Sequence, residues 1–259
     1  MNGSLQSIWR YPVKGFTPEA LAEVTLTAGA YFPFDRLYAV EDGPSGFDPA
    51  APAHVSKQKF TVLAKIAAIA RIRTSFDEDT QVLAAEAKGH PPFRGALAGE
   101  PGRAAFAAWL AAVLGDEARG PLKVLPSAPA HRFTDDVEGF VSIVNLASIR
   151  ALEAEAGRRV DPRRFRGNLY VEGWPAWIEN SLPGRRLWIG EAELAVGKPI
   201  VRCAATHVDP QSGERDLDVV GCLHQGFGHT LCGVYAQVRR GGRLRPGDRA
   251  RIEAAPGGA

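Results

Sequence analysis

Glycine and proline divide the apolar runs of this chain into short segments. The 259 residues include 28 glycines and 19 prolines, and the strand-like runs at residues 7–11 and 22–26 are separated by Pro12, Gly15 and Pro18. Because glycine favours turns and proline has no backbone donor, long helices and strands are interrupted at such positions. β-Branched and aromatic residues in the short runs favour strands. The pattern predicts a β-rich α+β fold of short, barrel-forming strands with a few helices.

Two segments instead have the apolar spacing of helices. Between residues 103 and 114, large apolar side chains recur every three or four positions, and Gly115 follows as a C-terminal cap. A second helix is predicted over residues 146–156, because Asn145 is a favourable N-cap and Gly157 a favourable C-terminal residue. These helices are expected to interrupt an otherwise strand-rich chain.

The order of these elements suggests two domains. Residues 63–72 fit either a helix or a strand, and from Phe165 onward the chain returns to strands. A proline-containing connector follows the first helix, near residues 125–140. The sequence therefore predicts one domain over residues 1–125 and a second over residues 126–259. A chain of this length can hold two closely fused domains.

Composition and charge exclude several classes of protein. The formal net charge is only +2, so no basic surface for nucleic acid is predicted. There is no run of eighteen apolar residues for a membrane span, and the first ten residues do not have the charged and apolar regions of a signal peptide. Three cysteines do not make a disulfide framework in a chain this long, which favours a reducing cytoplasm.

Cys203 is the residue with the clearest chemical potential. It follows a strand-like run at residues 193–201, Arg202 precedes it directly, and a turn-rich segment at residues 209–213 comes six residues later. A positive charge beside a thiol favours the thiolate, which is both a nucleophile and a soft metal ligand. A free cysteine is more often a small apolar packing residue. The local sequence alone leaves both roles open.

Five segments carry recognisable motifs. They are WRYPVKG (9–15), FDRLYAV (34–40), RFRGNLYV (164–171), RCAATHVDPQSG (202–213), and the pair GVYAQV (233–238) and LRPGD (244–248). In this order they resemble the motifs of the MOSC-type molybdenum-cofactor proteins, and the amidoxime-reducing components and their bacterial counterparts are nearest in pattern. The resemblance implies an N-terminal MOSC β-barrel domain followed by a MOSC β-barrel domain, with the cofactor site between them.

The resemblance also implies which residues hold the cofactor. Cys203 would ligate molybdenum, and a soft thiolate suits this metal. The other implied contacts to the molybdopterin are Lys14, Gly15, Arg36, Thr134, Asp135, Asp136, Arg166, Arg202 and Tyr235. Basic side chains suit the phosphate of the pterin, so we expect Lys14, Arg36 and Arg166 to converge on one pocket. We add Asp209, from its place near Cys203, as a catalytic residue that hydrogen-bonds the site or relays a proton.

Two features depart from the pattern of the family. Where relatives often have serine, this chain has Gly15, which offers only its backbone N–H. Residues 222–232 contain two cysteines and two histidines, without the C-x₂-C or H-x₃-H spacing typical of zinc sites. We interpret this segment as a glycine-rich loop at the mouth of the site, from which His224 or His229 could touch the substrate.

Two functions remain open. The first is a molybdenum-dependent oxidoreductase that reduces N-hydroxylated compounds or related N-oxides and S-oxides, with the redox chemistry supplied by the cofactor. The second is a non-catalytic carrier of the cofactor, or of sulfur as a persulfide on Cys203. Three cysteines cannot hold a four-cysteine iron–sulfur cluster, and no G-x-G-x-x-G unit is present to bind a dinucleotide. An enzyme would therefore act on a small-molecule substrate and need a separate electron-donor protein of the ferredoxin or flavin type.

Overall fold

The computed structural model of the chain describes residues 1–253. Within this range it contains fifteen strands and three α-helices. The strands are β1 (Asn2–Arg10), β2 (Glu19–Leu21), β3 (Val24–Leu26), β4 (Tyr38–Asp42), β5 (Arg73–Asp77), β6 (Val82–Glu86), β7 (Phe93–Ala96), β8 (Leu122–Pro126), β9 (Val141–Asn145), β10 (Leu169–Glu172), β11 (Arg186–Ile189), β12 (Ala192–Val201), β13 (Leu231–Arg240), β14 (Gly242–Leu244) and β15 (Arg249–Ile252). The helices are α1 (Glu100–Leu114), α2 (Leu146–Ala156) and α3 (Val219–Phe227). The predicted β-rich fold with a few helices is confirmed.

Seven of the strands form a closed barrel. The order around it is β10, β9, β13, β12, β11, β15 and β1, and β1 pairs with β10 to close it. Among the described residues, neighbouring barrel strands are antiparallel except for β9 and β10, which α2 connects as parallel neighbours. Leu5, Ile143, Leu169 and Leu194 are among the fully buried side chains of its core. Closure pairs the barrel strands on both sides and so protects their edges.

The N-terminal half adds two small sheets and one helix beside the barrel. β5, β6 and β7 form an antiparallel sheet, and β4 pairs with β8. The helix α1 contains the predicted segment at residues 103–114 and is followed by Gly115, as expected. Its Phe106 and Leu110 are fully buried in a core that includes Tyr38. Burial of this apolar face stabilises α1 in the folded chain.

The first strand joins the two halves of the chain. β1 begins at Asn2, yet it pairs with β10 and β15, and β3 likewise pairs with β14. The core of the barrel also includes Leu5, Val24 and Phe32 from the N-terminal half. The barrel therefore depends on the first residues of the chain. The division into residues 1–125 and 126–259 stays a prediction.

The second predicted helix is confirmed at both ends. α2 begins after Asn145, whose side chain accepts a hydrogen bond from the Ala147 N–H, and it ends before Gly157, which is left-handed. Residues 63–72, which fit either a helix or a strand, contain a short 3₁₀ turn over Ala67–Arg71. Such a turn is too short for its apolar residues to show clearly either the helical or the strand period. This explains why the sequence of this segment fitted both.

Residues 222–232 do not form a loop, and that prediction was wrong. The helix α3 occupies the first part of this segment, with Asp218 as its N-cap, and β13 begins at Leu231. Glycine lowers helix propensity by about 1 kcal/mol relative to alanine, but Val219 and Leu223 are fully buried in one cluster with the α2 residue Leu152. Tertiary packing outweighs the local preference. Neither α3 nor any other helix within residues 1–253 is long and apolar enough to span a membrane.

Candidate functional site

A cavity of about 410 Å³ opens between the N-terminal half and the barrel. Its lining includes Cys203 together with all the implied cofactor contacts, which are Lys14, Gly15, Arg36, Thr134, Asp135, Asp136, Arg166, Arg202 and Tyr235. Seven cationic side chains line it, namely Lys14, Arg36, Lys57, Arg164, Arg166, Lys198 and Arg202, against the carboxylates of Asp135 and Asp136. An excess of positive charge in a concave site suits an anionic ligand of small-molecule size.

Two arginines of the cavity stack on the faces of one tyrosine. The Arg36 and Arg166 guanidinium carbons lie 4.4 Å and 4.3 Å from the centroid of the Tyr11 ring. Arg36 Nη2 also donates to the Arg166 carbonyl at 2.8 Å, and Arg166 Nη1 donates to the Phe16 carbonyl at 2.8 Å. Cation–π contacts and these hydrogen bonds hold both guanidinium groups in position although their positive charges repel each other. Burial lowers the pKa of Arg166 to about 10.

The backbone at both arginines is in an uncommon conformation. Arg36 has φ 46° and Arg166 has φ 52°, in the left-handed region that side-chain-bearing residues rarely adopt. At Arg36, the buried carboxylate of Asp35 offsets this cost, because it accepts the Tyr11 N–H at 2.8 Å and forms an ion pair with the Arg36 guanidinium. Burial opposes the charge on Arg36, but Asp35, Tyr11 and Asp135 together outweigh burial and raise the pKa of Arg36. Backbone strain of this kind is concentrated at functional sites.

Two lysines share the carboxylate of Asp135. Lys14 is almost fully buried, forms an ion pair with Asp135 and donates to the Phe133 carbonyl at 2.9 Å. Lys57 Nζ lies 3.3 Å from the other carboxylate oxygen of Asp135. Burial opposes the charge of Asp135, but Lys14 and Lys57 hold its pKa well below its ordinary value. Burial lowers the pKa of Lys14 despite this pairing.

Cys203 stands at the end of β12, directly before a 3₁₀ turn over Ala204–His207. Its side chain is partly exposed, and Lys57 Nζ donates a hydrogen bond to Sγ at 3.3 Å. The preceding Arg202 does not approach the sulfur in this way, because its guanidinium donates to the carbonyls of Phe165 and Cys232. Arg202 therefore fixes the backbone around Cys203, and the cation that meets the sulfur comes from the N-terminal half.

Polar groups complete the cavity lining. Thr134 Oγ1 donates to the Asp136 carbonyl at 2.8 Å, and the Asp136 carboxylate pairs with Lys198 at 2.8 Å. Burial raises the pKa of Tyr235 to about 12, so its phenol keeps its proton at neutral pH. The Tyr235 phenol is therefore a hydroxyl donor beside the cationic side chains.

Asp209 is not part of this cavity lining but contacts Arg164, which is, and its catalytic role stays a prediction. Its carboxylate accepts the backbone N–H groups of Gln211 and Ser212 at 2.9 and 2.8 Å, and it lies 3.1 Å from Arg164 Nη2. These hydrogen bonds stabilise a turn, which is the usual role of Asp before Pro. Arg164 in turn donates to the His207 carbonyl at 3.0 Å. Asp209 therefore supports the segment after Cys203.

The histidines of residues 222–232 also lie away from the cavity lining. His224 is exposed on α3, and the His229 ring packs edge-on against Trp177 at a centroid distance of 5.0 Å. The helix α3 packs against α2, and its Val220 N–H also meets His207 of the turn that follows Cys203, so the placement of this segment at the mouth of the site stays a prediction. Among residues 1–253, no group of three or more metal-ligating side chains comes together.

Comparison with protein families accounts for almost the whole chain. The model of the MOSC domain matches residues 130–251, and that of the MOSC N-terminal beta barrel domain matches residues 2–120. The chain is a MOSC-domain protein. The MOSC family is associated with binding of the molybdenum cofactor. The match in both halves of the chain bears out the family that the motifs suggested.

Solved structures resemble this MOSC protein more distantly. The YuaD protein from Bacillus subtilis is 14% identical, with 97% of this chain and 96% of that chain covered and a TM-score of 0.49. YiiM from Geobacillus stearothermophilus is 20% identical over 47% of this chain and 58% of that chain, with a TM-score of 0.37. YiiM from Escherichia coli is 20% identical over 46% and 57%, with a TM-score of 0.32. A search of curated proteins gave no match.

The donor set of this MOSC protein fits a molybdenum cofactor. Cys203 supplies a soft sulfur ligand that opens onto the cavity. Within residues 1–253, the buried Arg166 Nη2 has no hydrogen-bond partner, so it is a donor available to a ligand. The surplus of cations over carboxylates suits a phosphate-bearing pterin. Both the metal-binding and the anion-binding requirements are therefore met in one cavity.

Gly15 has a steric reason to differ from its relatives. It has φ +90°, and a Cβ atom built on it would lie 2.6 Å from the Thr61 carbonyl oxygen. We expect Gly15→Ser to lower the free energy of unfolding by about 2–4 kcal/mol, measured by urea denaturation. Gly43→Ser is the matched control, since Gly43 has φ +84° but open space around it. A smaller loss, about 1–2 kcal/mol, is expected there; equal losses would contradict the steric explanation.

Sequence reasoning missed Asp35 and Lys57 as site residues. Asp35 lies inside the motif at residues 34–40, so its place beside Arg36 was a usable signal. Lys57 lies in none of the five motifs and begins a 3₁₀ turn over Lys57–Lys59. Only the folded chain brings it to Cys203.

Proposed function

We propose that this protein binds the molybdenum cofactor in the cavity, with Cys203 as the metal ligand, and works as an oxidoreductase. Its substrates would be N-hydroxylated compounds or related N-oxides and S-oxides. The observation that carries the proposal is that the partly exposed Cys203 shares one cavity with seven cationic side chains. The motif resemblance to amidoxime-reducing components supports the substrate class. The free thiols of Cys203, Cys222 and Cys232 fit a reducing cytoplasm.

The cationic side chains of the cavity have different roles in binding. Arg36 and Arg166 present planar forks, ordered on Tyr11, which suit bidentate recognition of phosphate or carbonyl oxygens. Lys14 contributes a buried point charge at the bottom of the same cavity. Arg202 holds the backbone next to Cys203, so the thiolate is presented from a rigid support.

The remaining roles concern protons and orientation. When bound, the cofactor supplies the two-electron redox chemistry. Tyr235 keeps its proton at neutral pH and can donate a hydrogen bond from Oη to a ligand oxygen. Thr134 stays tied to Asp136 through Oγ1 and so shapes the cavity wall. The substrate would enter through the side of the cavity that is open to solvent.

Electrons are proposed to come from a separate protein of the ferredoxin or flavin type. The three cysteines occur as free thiols in the structure and cannot hold a four-cysteine cluster. A donor would need to bind near the cavity, since electron transfer requires proximity to the metal.

Metal and pterin analysis tests the proposal most directly. The protein, made in a host that synthesises the cofactor, should contain about one molybdenum and one pterin per chain. It should reduce benzamidoxime with a chemical reductant, but not with NADH or NADPH alone, because no dinucleotide-binding unit was found. Protein without molybdenum would contradict the proposal, and sustained NADH-dependent turnover would overturn the need for a donor protein. Cofactor or Cys203-bound sulfane sulfur without turnover would select the carrier function instead.

A further inference from the structure

Lys57 contacts a carboxylate and a sulfur at the Cys203 end of the cavity. Its Nζ lies 3.3 Å from Cys203 Sγ and 3.3 Å from Asp135 Oδ2. Burial opposes its charge, but Asp135 and Cys203 together outweigh this and raise the pKa of Lys57. Its side chain is 28% exposed, so water screens the charge only in part. Lys57 is therefore the cation placed to act on whatever becomes bonded to the sulfur.

Two lysines share a single carboxylate beside the sulfur. Lys14 and Lys57 both pair with Asp135, which makes two cations for one carboxylate. The cluster of these three side chains therefore has one positive charge in excess. An unpaired cation in a partly desolvated place is costly. A negatively charged oxygen beside Lys57 removes this cost.

Other cations nearby are engaged elsewhere. Lys14 pairs with Asp135 and the Phe133 carbonyl, and Lys198 pairs with Asp136. Arg202 is occupied by backbone carbonyls. The excess charge next to the sulfur is thus assigned to Lys57.

We propose that Lys57 is a specificity-determining residue that selects an anionic oxygen group as the neighbour of Cys203. The inference deepens the proposed function, because the anion would come either from the phosphate of the cofactor or from an anionic substrate. Lys57 reaches the site from a turn in the N-terminal half, so this half contributes to selectivity and not only to the walls of the cavity.

Alkylation of Cys203 in the cofactor-free, full-length protein tests the charge preference itself. Iodoacetate and iodoacetamide react with the same thiolate and release the same iodide, but only iodoacetate carries a carboxylate. Both rates depend in the same way on the fraction of Cys203 that is thiolate, so this fraction cancels in the ratio of the rates. The ratio therefore reports the charge near Sγ. Rates would be followed by mass spectrometry of the peptide that contains Cys203, which separates it from Cys222 and Cys232.

Lys57→Met is expected to lower the iodoacetate-to-iodoacetamide rate ratio about fivefold or more at low salt. Two unit charges about 4 Å apart attract by about 1 kcal/mol even in bulk water, which corresponds to about fivefold in a rate. Raising the ionic strength from about 0.01 M to about 1 M should shrink the difference between wild type and variant. Lys57→Arg should keep most of the ratio. Lys59→Met, which removes an exposed charge from the same turn, should leave it unchanged. An unchanged ratio in Lys57→Met would overturn the proposal.

The source of the anion is settled by the cofactor-loaded protein. A lower pterin content in Lys57→Met than in Lys59→Met would identify the phosphate of the cofactor. Equal pterin content, with KM raised for a carboxylate-bearing amidoxime but not for benzamidoxime, would identify the substrate. Equal pterin content in the two variants, together with an unchanged KM for both amidoximes, would contradict a role for Lys57 in selection. Because the alkylation assay needs no cofactor, its result stands even if the protein proves to bind no molybdenum.

Discussion

Replacing Cys203 with serine is expected to abolish turnover and to remove most of the molybdenum. A hydroxyl is a harder and far less acidic donor than a thiol, so it replaces the thiolate poorly as a ligand to a soft metal. Loss of residues that merely orient a metal ligand costs about 10- to 100-fold, so loss of the ligand itself should cost at least about 100-fold in activity. Molybdenum content by mass spectrometry and benzamidoxime turnover with a chemical reductant measure the two effects.

Cys222→Ser is the matched control for this substitution. Cys222 lies on α3 and outside the cavity lining, although it is a free and partly exposed thiol like Cys203. Metal content and turnover should stay near those of the wild type. Cys232 serves less well, because its side chain is fully buried and burial raises its pKa to about 12. Wild-type metal content and turnover in Cys203→Ser would exclude Cys203 as the ligand.

Removing the carboxylate of Asp35 is expected to weaken both the fold and cofactor retention. Asp35→Ala leaves the Arg36 guanidinium, only 14% exposed, without its ion-pair partner, and it takes the acceptor away from the Tyr11 N–H. Breaking a buried ion pair from one side costs about 3 kcal/mol or more. Arg36 should also lose its fixed position on Tyr11, so the pterin content of the purified protein should fall. Urea denaturation and pterin analysis give the two readouts.

Asp42→Ala separates these two effects. The Asp42 carboxylate is fully buried and pairs with Lys65 at 2.7 Å, but neither residue lines the cavity. This variant should lose a similar amount of stability. When both variants are compared at a temperature where they remain folded, only Asp35→Ala should have reduced pterin content. An equal loss of pterin in both would show that Asp35 acts through stability alone.

The sequence by itself determined the fold class, one helix to the residue and ten residues of the cavity lining. Frequent glycine and proline limited the lengths of the elements, and the Asn145 and Gly157 caps defined α2, because both signals act within a few residues. The motif order led to the MOSC family, and with it to cations separated by about 150 positions that the fold brings to one cavity. These inferences needed no knowledge of which strands are neighbours.

Only the tertiary structure decided the rest. Strand periodicity shows which face of β1 is buried but not that its partners are β10 and β15 near the other end of the chain. Burial of Val219 and Leu223 makes a helix of a glycine-containing segment, and the hydrogen bonds of a turn hold Asp209 just outside the cavity lining. The contact of Lys57 with Cys203 joins residues 146 positions apart. Such contacts depend on packing between distant segments, and local sequence preferences carry no information about that packing.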